Sequence, residues 1–227
     1  MKIIDFYQHV IGIKPRDLCI DVGANVGHKT EVMLDLGAKV LAIEPDQRAR
    51  VKLRHKPGDL IVFACAVSDK EGEEDFYPNV RAASISTMSK EWMKGRFKDS
   101  AWKEGEKVKT ITLASLLSYG VPKFVKIDVE GYEVYVLKGL PLNYAVLPEC
   151  LCFEFEEQSL DALTQCLTII KFLYRYGVEF NMSFGESYEM EYGPWTQNEE
   201  DILQCFNSHR GTNFFGDVYV RKPNVNK

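Results

Sequence analysis

Leu18-Cys19-Ile20-Asp21-Val22-Gly23-Ala24-Asn25-Val26-Gly27 decides the fold. Its first five residues, largely apolar, predict a buried strand over Leu18–Val22. Two glycines follow at once. Gly23 supplies the backbone freedom of a tight turn, and Gly27 lets a helix begin close to a sheet or a ligand. The helix expected over residues 26–36 stops at Gly37. Strand, glycine turn and helix in this order form the first half of a parallel crossover unit.

Outward from this unit the pattern repeats. Residues 39–44 (KVLAIE) form a second strand, and Pro45 opens the next helix. Residues 60–67 (LIVFACAV) read as a third strand, apolar throughout, as where both sheet faces are covered. Residues 124–129 (FVKIDV) give a fourth, followed by a helix over 132–138. Residues 151–155 give a fifth, then a long helix over 160–176 with Gly177 as its stop. Residues 178–182 and 217–221 supply the last two. Such alternation predicts an α/β fold: a doubly wound, Rossmann-like, mostly parallel seven-stranded sheet with helices on both faces. No repeat, linker or composition break interrupts it, so residues 1–227 are expected to form a single domain.

Two stretches break the rhythm. Residues 73–77 and 107–113 look like extra strands flanking a polar segment, 78–106, which holds Arg81, Trp92, Arg96, Phe97 and Trp102. Residues 184–215 contain Trp195 and His209. Irregular insertions of this length are expected to be lids or acceptor-binding loops. The three tryptophans offer a stacking surface for a sugar, or simply the packing of a lid.

Composition narrows the function. Apolar residues make up 45% and charged ones 27% of 227 residues, which excludes disordered and low-complexity classes. Lys plus Arg is 28 against 33 Asp plus Glu, a net charge of −5, the wrong sign for a general nucleic-acid binder. The six cysteines lie in apolar stretches without a C-x-x-C pair, as expected of buried thiols in a reducing compartment. No apolar run is long enough for a membrane span, and Lys2, Asp5, Gln8 and His9 disagree with a secretory signal. A cytoplasmic protein is expected. The histidines lack metal-ligand spacing, so no metal is assigned.

Three cofactors compete for the glycine turn. A dinucleotide would require G-x-G-x-x-G, but Asn25 and His28 occupy the second and third glycine positions. A phosphate-binding P-loop fails only at its second glycine, His28, and keeps Lys29-Thr30 at the right spacing. S-adenosyl-L-methionine carries no phosphate, and Asp21 beside the turn suits its cationic amino-acid end. Glu44 favours this third choice. It ends the second strand 21 residues past Gly23, where a carboxylate accepts hydrogen bonds from ribose hydroxyls. The backbone of Gly23, Ala24, Asn25 and Gly27 would line the same ligand, and Ala66 and Val67 would border its adenine.

At this point the chain resembles a family. Asp21-Val-Gly-Ala-Asn-Val-Gly27, Ala42-Ile-Glu44-Pro45, Ala66-Val-Ser68-Asp69, Val125-Lys126-Ile-Asp128-Val-Glu130-Gly131-Tyr-Glu133-Val and Leu137-Lys-Gly139 match FkbM-type methyltransferases in order and spacing. The resemblance implies a class I methyltransferase fold. It also implies methylation from S-adenosylmethionine, usually onto a hydroxyl of a sugar or natural product. Family members often carry Thr-Leu-Asp ahead of the fourth strand; this chain has Thr112-Leu113-Ala114.

Asp128 and Glu130 lie two apart at the carboxyl end of the fourth strand, so their side chains share a direction. Asp128 is the first candidate for orienting cofactor or acceptor and for general base, with Glu130 beside it. An ion pair with Lys126 is the plainer role for Asp128, and it requires a frayed strand end. Glu154 is a secondary candidate for an acceptor or metal contact. His209, near Arg210 and Asn213, is placed to face an acceptor. The expected partner is thus a small molecule or glycan, with no nucleic acid. A catalytically silent module that keeps the S-adenosylmethionine pocket is an alternative, and an NAD-dependent oxidoreductase is a further one. Acceptor identity and oligomeric state are not encoded in any motif.

Overall fold

The structure is a computed structural model and describes residues 1–95, 97–174 and 177–223. The strands in chain order are β1 (Leu18–Val22), β2 (Lys39–Ile43), β3 (Leu60–Phe63), β4 (Ala66–Val67), β5 (Gly72–Phe76), β6 (Glu106–Ile111), β7 (Phe124–Ile127), β8 (Cys150–Glu156), β9 (Glu179–Phe184) and β10 (Phe215–Arg221). The helices are α1 (Ile3–Phe6), α2 (His28–Asp35), α3 (Gln47–Leu53), α4 (Lys90–Lys94), α5 (Leu113–Leu116), α6 (Glu133–Lys138), α7 (Leu160–Leu173) and α8 (Glu199–Ser208).

Seven strands form one sheet in the order β3-β2-β1-β7-β8-β10-β9. Pairing is parallel from β3 through β8, whereas β10 runs antiparallel to both β8 and β9. The expected α/β, mostly parallel architecture is therefore present. Side chains alternate as strand geometry requires. Ile20, Val22, Val125 and Ile127 enter one core, under α6 and α7. Cys19, Val40, Phe124 and Cys152 enter the other, under α1 and α2.

Residues 60–67 are not one strand. Leu60–Phe63 pairs with β2 at the edge of the large sheet and is only partly buried, while Ala66–Val67 pairs with β6. An apolar run shows that a segment is buried but not which partner buries it. With β5, these strands make a separate three-stranded sheet in the order β4-β6-β5. Pro45 does not open the helix that follows it: Asp46 is the N-cap of α3, its carboxylate accepting from Arg48 N at 2.8 Å. Among the described residues α7 ends at Leu173. Tyr176, the end of the expected helix, lies outside them, as does Arg96 of the first insertion. The insertions are also less irregular than expected, since 78–106 contains α4 and 184–215 contains α8.

Candidate functional site

The turn after β1 is built as its glycines demand. Gly23 has φ +79°, and a Cβ there would stand 1.8 Å from the Asp128 carbonyl oxygen. The β1 turn and the segment after β7 are thus in backbone contact. Gly23 N and Ala24 N both donate to Ile43 O, tying the turn to the end of β2. Asn25 takes a left-handed conformation at φ +49°, and its Oδ1 is buried without a hydrogen-bond partner among the described residues.

Glu44 closes this corner. It is only 6% exposed, and its carboxylate accepts from Asn25 N at 2.8 Å and Asp46 N at 2.6 Å. Burial pushes its carboxyl up to about 7, although both amides favour the ionised form. Each oxygen keeps a second lone-pair direction for a hydroxyl donor.

Asp128 lies just beyond β7, and Glu130 and Gly131 follow in left-handed conformations at φ +56° and +87°. Lys126 Nζ sits 3.0 Å from Asp128 Oδ2 and 3.6 Å from Asp217 Oδ1. The strand does end early enough for the Lys126 pair to form. Carboxylate atoms of Asp128, Glu130 and Glu154 all lie within 4.8 Å of one another. Their environments push the three apart. Burial raises Asp128, but the Lys126 ammonium and a hydrogen bond from Glu154 together hold the group below the usual carboxylate range. Burial, reinforced by the charge of Asp128, holds Glu130 and Glu154 well above that range. Asp128 therefore holds its proton far less tightly than its two neighbours.

Glu133 supports the turn from below, its Oε1 accepting from Val129 N at 3.1 Å and Gly131 N at 3.3 Å. Burial pushes its carboxyl up to about 7. A raised folded-state value means stability that is present at low pH and is lost as pH rises through about 7. Glu133→Gln keeps the acceptor oxygen and removes the ionisation. Thermal melts should show wild type losing stability between pH 5 and 8, with roughly 3 kcal/mol of that loss absent in Glu133→Gln.

Part of the first insertion covers the turn. Asn79, fully buried, accepts from Arg81 N at 3.0 Å and Ala82 N at 3.1 Å, and donates to Ser100 Oγ at 2.6 Å. Thr87 Oγ1 donates to Glu130 O at 2.7 Å. The resulting cavity is walled by Gly23, Asn25, Glu44, Ala66, Val67, Phe76, Ser84, Thr87, Met88, Asp128 and Glu130, among others. Among the described residues its lining holds three carboxylates and neither Lys nor Arg. An adjoining opening shares Asn25, Ala83 and Ser84 as walls and reaches Arg48 and Lys52. The cavity sits at the carboxyl ends of β1, β2 and β7, the switch point where open α/β sheets bind ligands.

Comparison with known proteins identifies the family. The family model of the methyltransferase FkbM domain matches residues 21–180, well over half of the chain. The chain belongs to the FkbM methyltransferase family. It is also 34% identical over 132 residues to the hexuronic acid methyltransferase AglP of Haloferax volcanii, a match covering 55% of this chain and 50% of that protein. The chain thus spans about half the length of that curated relative. Among solved structures it is similar to an rRNA methylase of Streptococcus thermophilus (12% identity, TM-score 0.47, 97% of this chain and 94% of that one). It is also similar to the plantazolicin methyltransferase BpumL in complex with SAH (9%, 0.46, 97% and 81%). These two are resemblances of chain trace only.

In this FkbM-family chain Gly23, Asn25, Glu44, Ala66, Val67, Asp128 and Glu130 come together around one cavity, while Asp21, Ala24, Gly27 and His209 lie outside its lining. Asp21 points to the opposite sheet face from Val22, where Thr30 Oγ1 donates to it at 2.5 Å and burial raises its carboxyl. Ala24 packs with Ala42 and Leu53. A Cβ on Gly27 would meet Leu53 Cδ1 at 2.7 Å, so that glycine serves helix packing. His209 stacks on Phe184 at 4.0 Å, and its Nδ1 lies 2.9 Å from Cys205 O, so its role is to close α8. The P-loop spacing dissolves as well: Lys29 Nζ contacts Glu186 and Tyr188, and Thr30 serves Asp21. Ala114, where family members often have aspartate, is exposed on α5 and outside the cavity lining. The cover residues Ser84, Thr87 and Met88 were not singled out by sequence, because nothing in their spacing marks them within the 78–106 insertion.

Proposed function

We propose that this chain is an S-adenosylmethionine-dependent methyltransferase acting on a hydroxyl of a sugar, a glycan or a small natural product. The observation that carries the reading is the convergence of Glu44 and Asp128 on one cavity over the Gly23 turn. Its lining fits this donor. Carboxyl acceptors with no cation among the described lining residues suit an ammonium, a sulfonium and hydroxyl donors better than a pyrophosphate. The orphaned Asn25 Oδ1 is an acceptor waiting for such a donor group. Those features weigh against the NAD-dependent reading, as does the Asn25 side chain at the second glycine position.

S-adenosylmethionine, when bound, supplies a methyl group on an electrophilic sulfonium. The protein holds and orients. Glu44 accepts from the ribose hydroxyls, Asn25 and the Gly23 turn receive the amino-acid end, and Ala66 and Val67 border the adenine. Asp128, kept ionised by Lys126, orients the acceptor hydroxyl and takes its proton, a role typically contributing about 10²–10⁴-fold. Glu130 stands beside the same oxygen. The sugar class is supported by the hexuronic acid substrate in the relative's name. No helix among the described residues is long and apolar enough to cross a membrane. Six free cysteines, five of them buried, support a cytoplasmic site of action. The same reading treats residues 1–227 as one methyltransferase unit whose insertions shape the acceptor side.

Glu44→Ala should weaken S-adenosylmethionine binding by about 10–150-fold, because a hydrogen bond to a charged group is worth roughly 1.5–3 kcal/mol. Calorimetry returning the wild-type affinity would remove Glu44 from the ribose. Transfer of labelled methyl into a panel of glycans and hydroxylated metabolites tests the activity itself. Donor binding with no turnover across that panel would favour the silent module.

A further inference from the structure

A second cavity lies on the other side of the 128–131 segment. It is a groove of about 540 Å³ between α4 and the start of α7, with Trp92, Gly131, Glu156, Gln158 and Ser159 in its walls. That volume is within the range of roughly 300–1,000 Å³ common to small-molecule sites. A small void of about 20 Å³ joins Trp92 and Gly131 to Glu154. It has room for one water-sized oxygen.

Trp92 links these spaces, lining both. The ring rests on Gly131 so closely that a Cβ there would stand 2.9 Å from Trp92 Cε3. Its backbone N–H is fixed by the Ser89 cap, and its ring meets Phe97 at 5.8 Å. The indole N–H is buried with no acceptor among the described residues. Such a group costs about 1–3 kcal/mol unless an oxygen reaches it.

The groove shares Trp92, Gly131 and Glu156 with the small void, and the void approaches the donor cavity through Glu154. Asp128 and Glu130 wall the first, Glu154 walls the void beside Trp92, and the three lie within 4.8 Å of one another. A hydroxyl extended from the groove through the void reaches Glu154, beside Asp128 and Glu130. We propose that the groove is the acceptor subsite and takes a sugar ring against Trp92. One ring hydroxyl answers the indole N–H, and another reaches Glu154 and Asp128. An aromatic platform flanked by amide, hydroxyl and carboxylate groups matches the alternation of C–H faces and hydroxyls on a saccharide. This assignment rests on the donor reading of the first cavity.

The test uses the full chain saturated with S-adenosylhomocysteine on an array of neutral and charged oligosaccharides, with Trp92→Ala and Trp92→Phe alongside. Wild type should retain a subset of glycans. Trp92→Ala should lose them at least about 10-fold, and Trp92→Phe, which keeps a ring and deletes the N–H, should fall between. Calorimetry with S-adenosylhomocysteine on the same samples should show unchanged donor affinity in Trp92→Phe, since Trp92 is not in the donor cavity's lining. Retention of the same glycans by Trp92→Phe and by folded Trp92→Ala, or no glycan retained by wild type that binds S-adenosylhomocysteine, overturns the subsite. Absence of S-adenosylhomocysteine binding to wild type overturns the donor reading instead.

Discussion

Asp128→Asn is expected to lower turnover by about 10²–10⁴-fold, the range typical of a lost general base. The amide cannot accept a proton, while its shape and its place beyond β7 are retained. Lys126, 3.0 Å from Asp128 and 3.6 Å from Asp217, keeps the second of its two anionic partners. The fold should therefore survive, and a thermal melt separates lost chemistry from lost structure. Single-turnover transfer of labelled methyl is the measurement. A variant with native turnover removes Asp128 from the reaction and leaves it as the counter-ion of Lys126.

Gly23→Ala is the second large effect. The left-handed φ of +79° alone disfavours an L side chain, by about 1–2 kcal/mol. The added methyl also meets the Asp128 carbonyl at 1.8 Å, and a backbone atom cannot rotate out of the way. The 128–131 segment must shift, and with it the carboxylates of Asp128 and Glu130. Misplacing reacting groups by about 1 Å costs roughly 10²-fold, so turnover should drop by at least that much alongside a lower melting temperature. Kinetics matching wild type in a folded Gly23→Ala would show that the turn does not set the geometry of the site.

Gly23 and its neighbours in the cavity show how far local reading reaches. Gly23 and Glu44 were legible because their signals are local: a glycine after an apolar run, and an acid at the end of the next strand. Asp21 lies outside the cavity lining for an equally physical reason. It sits in the motif, yet strand alternation turns it to the face covered by α2, where Thr30 satisfies it. His209 had polar neighbours in sequence and an aromatic ring, Phe184, in space. The division of 60–67 between two sheets depended on pairing with β6, more than 40 residues away.

The amino-acid sequence by itself determined the order of elements, the mostly parallel sheet, the glycine turn and the acid that ends β2. Hydrophobic period and backbone freedom act within a few residues, so a single chain displays them directly. Only the tertiary structure decided that Asp128, Glu130 and Glu154 gather within 4.8 Å and that residues 83–88 roof the turn. It alone seated Trp92 on Gly131. Such meetings follow from how strands pair and how insertions fold back over the sheet, and neither is written in the spacing of neighbouring residues.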